Sequence, residues 1–180
     1  HFIKGYTYAE AGDTVNAIKS YLEAIGLDQR YYDAYMQLGL IYSSRGNPLA
    51  LDYLNNALNI DPESQEALYA LAMFYQEAGE AESAISAYNK LLTLDPENVY
   101  ATYNLGYVNL VLLGDYEAAA TYFEKAARMR PSYFEAIYNL GYCHELMGNY
   151  GRAREFYNAA LEIEVNYDLA IRGLNRIQGK

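Results

Sequence analysis

Apolar residues along this chain recur with the 3.6-residue period of an amphipathic helix, in runs of about a dozen residues parted by short polar turns. Tyr35, Leu38, Gly39 and Tyr42 fall on one helical stripe. The same stripe returns as Leu68, Leu71, Ala72 and Tyr75, then as Thr102, Leu105 and Gly106, then as Ile137, Leu140, Gly141 and His144. These positions are read as core, with Gly or Ala where two helices must approach closely. Ala57, Leu91, Ala126 and Ala160 do the same on the helices that follow, and Pro62, Pro96 and Pro131 end those helices because proline cannot continue one.

The stripes are spaced regularly. Turn glycines stand at Gly12, Gly46, Gly79, Gly114 and Gly148, and alanines at Ala17, Ala50, Ala84, Ala119 and Ala153, always 33, 34 or 35 residues apart. Tyr103–Tyr107 and Tyr138–Tyr142 carry the same five residues, Tyr-Asn-Leu-Gly-Tyr. Self-similarity at this period marks a repeat array. Within a unit the order is Leu-Gly, Tyr, Gly-Asp or Gly-Asn, Ala, an aromatic, then Asp-Pro. This resembles the tetratricopeptide repeat over nearly the whole chain. The resemblance implies an all-α, right-handed α-solenoid of helix–turn–helix units. Five units are read: a partial one over 1–31, then 32–64, 65–98, 99–133 and 134–167, with a capping helix over 168–180. Together they are expected to form one solenoid domain. The chain opens mid-unit without Met and reads as a piece of something longer.

Two units break the period. One residue is missing between Gly46 and Ala50, where Asn47 reads as an N-cap and Pro48 as the first helical residue. One is extra between Gly106 and Gly114. A lengthened turn or a π-bulge would absorb it, and the longer turn is the expectation. Leu110 is then expected to take the place usually held by Tyr, with Val111, Leu112 and Leu113 packing inward; the alternative is an exposed contact patch.

The net charge is −10, and residues 1–120 carry 16 acidic against 5 basic side chains. An acidic body argues against nucleic acid and anionic membrane, and favours basic partners by steering. No apolar run approaches the length of about 18 residues that a membrane span needs. No targeting segment is visible, and localisation stays open. Cys143 is the only cysteine, so no internal disulfide forms.

In the family it resembles, first helices line a concave face that holds a peptide or a partner helix. Carried over here, one row reads Met36, Tyr69, Tyr103, Tyr138, and a second Leu40, Met73, Tyr107, Tyr142. A third reads Gln37, Ala70, Asn104, Asn139, and a rim reads Asp33, Glu66, Tyr100, Glu135. Tyrosine offers a large contact area with few torsions to freeze, and asparagine suits a peptide backbone. Asn104 and Asn139 occupy the ladder position that grips peptide main chain in such proteins; bonding between adjacent units is the alternative use. The rim places carboxylates where carboxylate-clamping members carry lysine, so no such clamp is expected. Arg172 and Arg176 are the basic residues that the final helix brings to this face.

No catalytic constellation emerges. Cys143 and His144 are adjacent on one helix, about 100° apart, and do not form a nucleophile–base pair. His144-Glu145 begins like a zinc-protease motif, but Gly148 stands where the second His belongs. His144 is expected to be a buried, neutral core residue. The reading is therefore a non-catalytic interaction scaffold without cofactor or metal. It would bind a protein or peptide that is neutral, basic or aromatic rather than acidic. Self-assembly into a homo-oligomer through the chain ends, or service as the targeting arm of a larger enzyme, are the alternatives.

Overall fold

The computed structural model describes residues 1–180 and is all-α, with eleven α-helices and no strand. It divides into two compact units, His1–Leu94 and Asp95–Lys180. The first contains three helix pairs: α1 (Phe2–Glu10) with α2 (Thr14–Leu27), α3 (Tyr32–Ser43) with α4 (Leu49–Ile60), and α5 (Gln65–Glu77) with α6 (Ala81–Leu94). The second contains α7 (Val99–Val108), which runs on into a π-helical turn at Asn109–Leu113, then α8 (Tyr116–Met129), α9 (Phe134–Leu146), α10 (Tyr150–Ile163) and α11 (Asp168–Arg176).

Local chemistry explains the boundaries. All five turn glycines have positive φ, between +59° and +77°, the left-handed region that closes a helix C-terminus. Four of these turns are closed in the same way, as by Glu80 N–H donating to the Tyr75 carbonyl at 2.8 Å. Ser64, Asn98 and Asp115 cap the next helices through side-chain oxygens that accept from the third backbone N–H onward. Asn47 Oδ1 accepts from Leu49 N–H at 3.0 Å and Pro48 has helical dihedrals, but α4 begins at Leu49, so Pro48 stands at the N-cap, one residue later than expected.

The lengthened unit is absorbed otherwise than expected. The extra residue stays inside the helix as the π-helical turn, and Asp115 N–H reaches back to Asn109 rather than to a residue one closer. The reason is packing at both ends. A Cβ on Gly106 would lie 2.9 Å from the Phe123 ring, so that contact is fixed. Leu110 is buried among Ala119, Phe123, Leu140 and Cys143. The π turn satisfies both. It also turns Val111 and Leu113 outward, at 53% and 51% exposure, so those two do not pack inward. The buried Asn109 amide donates to the Leu105 carbonyl at 2.7 Å, supporting a backbone stretch that the wider turn loosens.

The core follows the stripes. Tyr21, Leu38, Leu54, Leu68, Tyr88 and Leu91 are fully buried in the first unit, and Leu105, Phe123, Tyr157 and Ile177 in the second. Each such side chain contributes on the order of 1.5–3 kcal/mol. Tyr35, Tyr42, Tyr75 and Ile137 are half-buried at the edges of these clusters.

Candidate functional site

The second unit collects most of the candidate residues. Asn98 caps α7 and sets its rotation, so Tyr100, Tyr103 and Tyr107 project along it at helical spacing. Tyr100 and Tyr107 are exposed at 50% and 37%. Tyr103 packs on Phe123 and Tyr133, and its hydroxyl accepts from Asn139 Nδ2 of α9 at 2.8 Å. Burial, with Glu135 adding, pushes the Tyr103 phenol up to about 12 despite that hydrogen bond. Asn139 thus bonds to the neighbouring unit, the alternative to a peptide ladder. Asn104 is 9% exposed and lies among the buried residues of α7.

On α9, Tyr138 is 7% exposed, packed by Tyr142, Tyr157 and Tyr167. Beside it Glu145 is the hub of a lock. Arg176 donates to it from Nε at 2.9 Å and from Nη2 at 3.0 Å, the Tyr157 hydroxyl donates as well, and the Arg176 guanidinium lies 5.6 Å from the Tyr142 ring. Burial opposes ionisation of Glu145, but Arg176 and Tyr157 outweigh it and hold the carboxyl below its usual range. Arg176 is therefore occupied within the chain. Arg172 pairs with Asp168 at 2.7 Å on an exposed turn of α11.

The first unit holds the remaining candidates. Leu40 and Glu66 are exposed, and Gln37, Tyr69 and Met73 half-buried. Met36 differs from the expectation. At 2% exposure it lies in the cluster of Leu54, Ala57, Ala67, Ala70 and Leu71, a core position between α3, α4 and α5 that no ligand reaches.

A residue that the sequence reading passed over is Arg130. Its guanidinium lies 4.7 Å from the Tyr100 ring and 5.6 Å from the Tyr133 ring, and Nη1 donates to the Tyr100 hydroxyl at 3.0 Å. Arg130 is thirty residues from Tyr100, so no local pattern joins them; only the superposed period would have.

Cys143 and His144 are both buried. Burial pushes the Cys143 thiol up to about 12, and burial with the charge of Arg152 lowers the His144 pKa, against a weaker pull from Glu124. Both favour the uncharged forms. No group of three or more metal-ligating side chains is present, and no helix is long and apolar enough to cross a membrane.

Three family models, each described as the tetratricopeptide repeat, match residues 1–31, 49–105 and 110–168. The type IV pilus assembly protein PilF of Pseudomonas aeruginosa is 44% identical over 75 residues, which are 41% of this chain and 30% of PilF. The chain thus spans less than a third of that relative. A tetratricopeptide repeat protein from Parabacteroides merdae superposes with a TM-score of 0.87 at 25% identity, covering 98% of this chain and 70% of that one. MamA superposes with a TM-score of 0.83 at 27% identity, covering 90% and 95%.

Proposed function

This chain belongs to the tetratricopeptide repeat family, and from that premise we propose that it is a non-catalytic scaffold for protein–protein interaction. In this reading the α7–α9 face of the second unit binds an extended segment of a partner that carries basic and aromatic side chains. The observation that carries it is the treatment of the chain's own arginines. Arg130 lies on Tyr100, and Arg176 lies on Tyr142 with Glu145. A tyrosine face with carboxylates beside it accepts guanidinium groups, each stacked contact adding about 0.5–1 kcal/mol at exposed sites. Tyr107 and Glu135 extend the same chemistry along the face. The description of PilF as an assembly protein agrees with a scaffolding role.

The test is a panel of short peptides, basic-aromatic against acidic, titrated against the intact chain and a Tyr100→Ala/Tyr107→Ala variant of unchanged helix content. Two exposed anchors at about 1–2 kcal/mol each predict at least a tenfold loss for the basic-aromatic peptides. Equal binding of acidic peptides, or unchanged affinity in the variant, would sink the proposal.

A second reading is self-association through the α1–α2 end. Ile3 and Leu27 stand there at 81% and 76% exposure beside a hollow walled by Phe2, Ala24 and Tyr31. Sedimentation that depends on concentration in the parent and not in Ile3→Asp would favour it.

A further inference from the structure

One register position on the second helices decides how far each groove between them is filled. It lies three residues after the landmark alanine and reads Tyr53 on α4, Ala87 on α6, Tyr122 on α8 and Phe156 on α10. On α2 it is Ser20, ahead of which the structure has no second helix to form a groove. Another position, four residues before the turn glycine, lies on the first helices and reads Tyr42, Tyr75 and His144. In two units the two positions meet. The Tyr53 ring stacks on Tyr42 at 5.3 Å and within 5° of parallel, and Phe156 stacks on His144 at 5.4 Å and within 9°.

The unit of α5 and α6 lacks the upper ring. Ala87 ends at Cβ, so no ring stacks on Tyr75, whose aromatic neighbour is Phe74, edge-on at 6.4 Å. The consequence is space. Between α4 and α6, over Leu71 and Tyr75 of α5, lies a cavity of about 760 Å³. Where Phe156 fills the corresponding place between α8 and α10, about 150 Å³ remain. Leu71 and Ala87, at 8% and 7% exposure, make the floor and one wall apolar, and Tyr75 is half-buried. The rims are polar, with the exposed amides of Asn55 and Asn59 on α4 and the exposed Ser86 hydroxyl on α6. Glu82 and Lys90 oppose each other in sign, so the groove is near neutral in a chain of net charge −10.

We propose that this groove is a docking pocket for one aromatic side chain, Phe or Tyr, of a partner protein, stacked on Tyr75. The chain's own rings identify the occupant: Tyr53 and Phe156 fill this very place in the other two grooves. A ring entering from outside would bury its edges against Leu71 and Ala87 and stack on the Tyr75 face, the arrangement that aromatic pairs prefer. The cavity exceeds what one ring fills, and rim amides and a hydroxyl suit the main chain on either side of such a residue. A single aromatic anchor seated in a preformed pocket is how a small number of side chains comes to dominate an interface. The pocket lies on other elements than the α7–α9 face and does not depend on that reading.

The experiment follows the Tyr75 ring and Ala87 methyl signals of the intact chain by NMR. The probes are capped Gly-Phe-Gly, capped Gly-Leu-Gly and p-cresol. The expected result is a saturable response to Gly-Phe-Gly in the millimolar range, about fivefold tighter than to Gly-Leu-Gly. Ala87→Phe supplies the missing ring from within, and should abolish the response with the melting temperature unchanged or raised. Tyr75→Leu keeps the floor apolar but removes the stacking face, and should bring the two peptides to equal affinity. Tyr100→Ala/Tyr107→Ala should leave the response as it is, which separates this pocket from the tyrosine face. Gly-Phe-Gly binding more tightly than p-cresol assigns the pocket to a polypeptide. The reverse order overturns the partner and leaves a small-molecule site. No saturable response, equal affinity for the two peptides in the parent, or an unaltered response in Ala87→Phe or Tyr75→Leu overturns the proposal altogether. A melting temperature lowered by overpacking in Ala87→Phe does the same, since the groove then takes no ring in that place.

Discussion

Hydroxyl groups at one register position separate the repeats. Tyr88 and Tyr157 are fully buried on second helices, and each hydroxyl donates to the first-helix residue three before the turn glycine, Gln76 at 3.0 Å and Glu145 respectively. Tyr21 has the same place, but Ala9 stands opposite and the Tyr21 hydroxyl has no partner. The next unit errs the other way, with Leu54 opposite Ser43, whose Oγ is unpartnered. A buried polar group without a partner costs about 1–3 kcal/mol, and a satisfied one contributes about 1 kcal/mol. Tyr21→Phe should therefore leave stability unchanged or raise it by about 1 kcal/mol, whereas Tyr157→Phe should lower it by a similar amount. Urea denaturation of the two variants side by side decides this; equal losses would refute it. Both residues look alike in the sequence as aromatic repeat positions. Their partners become visible only when the units are superposed and the position before each turn glycine is compared.

At the scale of elements, the capping helix illustrates how far a period carries. Its start follows from Tyr167, Asp168 and the repeat spacing, but α11 spans Asp168–Arg176 and stops short of the expected 168–180. Its mode of attachment does not follow, because that depends on two longer-range contacts. Gly173 lies against Tyr157 so closely that a Cβ would come within 2.6 Å of the ring, and Arg176 closes on Glu145. Gly173→Ala should cost about 1–3 kcal/mol by overpacking and expose α11 amides to hydrogen exchange before those of α10. Gly26→Ala, with nothing within 4 Å of the new methyl, should instead be neutral or gain up to about 1 kcal/mol. Matching losses in both would mean that α11 is not held by this contact. The Arg176–Glu145 lock also has a pH sign. Glu145 is depressed in the folded chain, so its contribution is present above the ordinary carboxyl value of 4.5 and is lost as pH falls through the folded one. Acid should loosen α11 in the parent, and Arg176→Ala should flatten that dependence. The π-helical turn is the complementary case. Counting residues showed that one was extra, but only the fixed Gly106–Phe123 contact and the burial of Leu110 decide that the helix widens instead of the turn lengthening.

For the whole molecule, the fold class was legible because glycine, alanine and proline landmarks are local and repeated. The candidate site was legible only in outline. Register gives the row on which a residue lies, not how deep it sits, so Met36 shares a row with Tyr103 yet is core, and Arg130 escaped notice on a face it shares with Tyr100. Tyrosine abundance, with 22 in the chain, has a consequence at this scale that needs no partner. Burial is the leading cause that displaces the phenols of Tyr21, Tyr32, Tyr53, Tyr103, Tyr138, Tyr157 and Tyr167 upward. A group whose folded pKa is raised stabilises the fold fully below its unfolded value and loses that contribution as pH rises toward the folded one. For Tyr103 the window runs from the ordinary 10.0 to about 12. Above about pH 10 the unfolded chain therefore releases protons that the folded chain retains, and stability must fall. The net charge of −10 adds self-repulsion in the same direction as phenolates form. Alkaline unfolding should thus be cooperative, with the far-ultraviolet helix signal and the phenolate absorbance of the buried tyrosines changing together. A chain whose phenolate absorbance titrates fully near pH 10 with its helix signal intact would show that these tyrosines are open to solvent, and that the core described here is not the one that holds the repeats together.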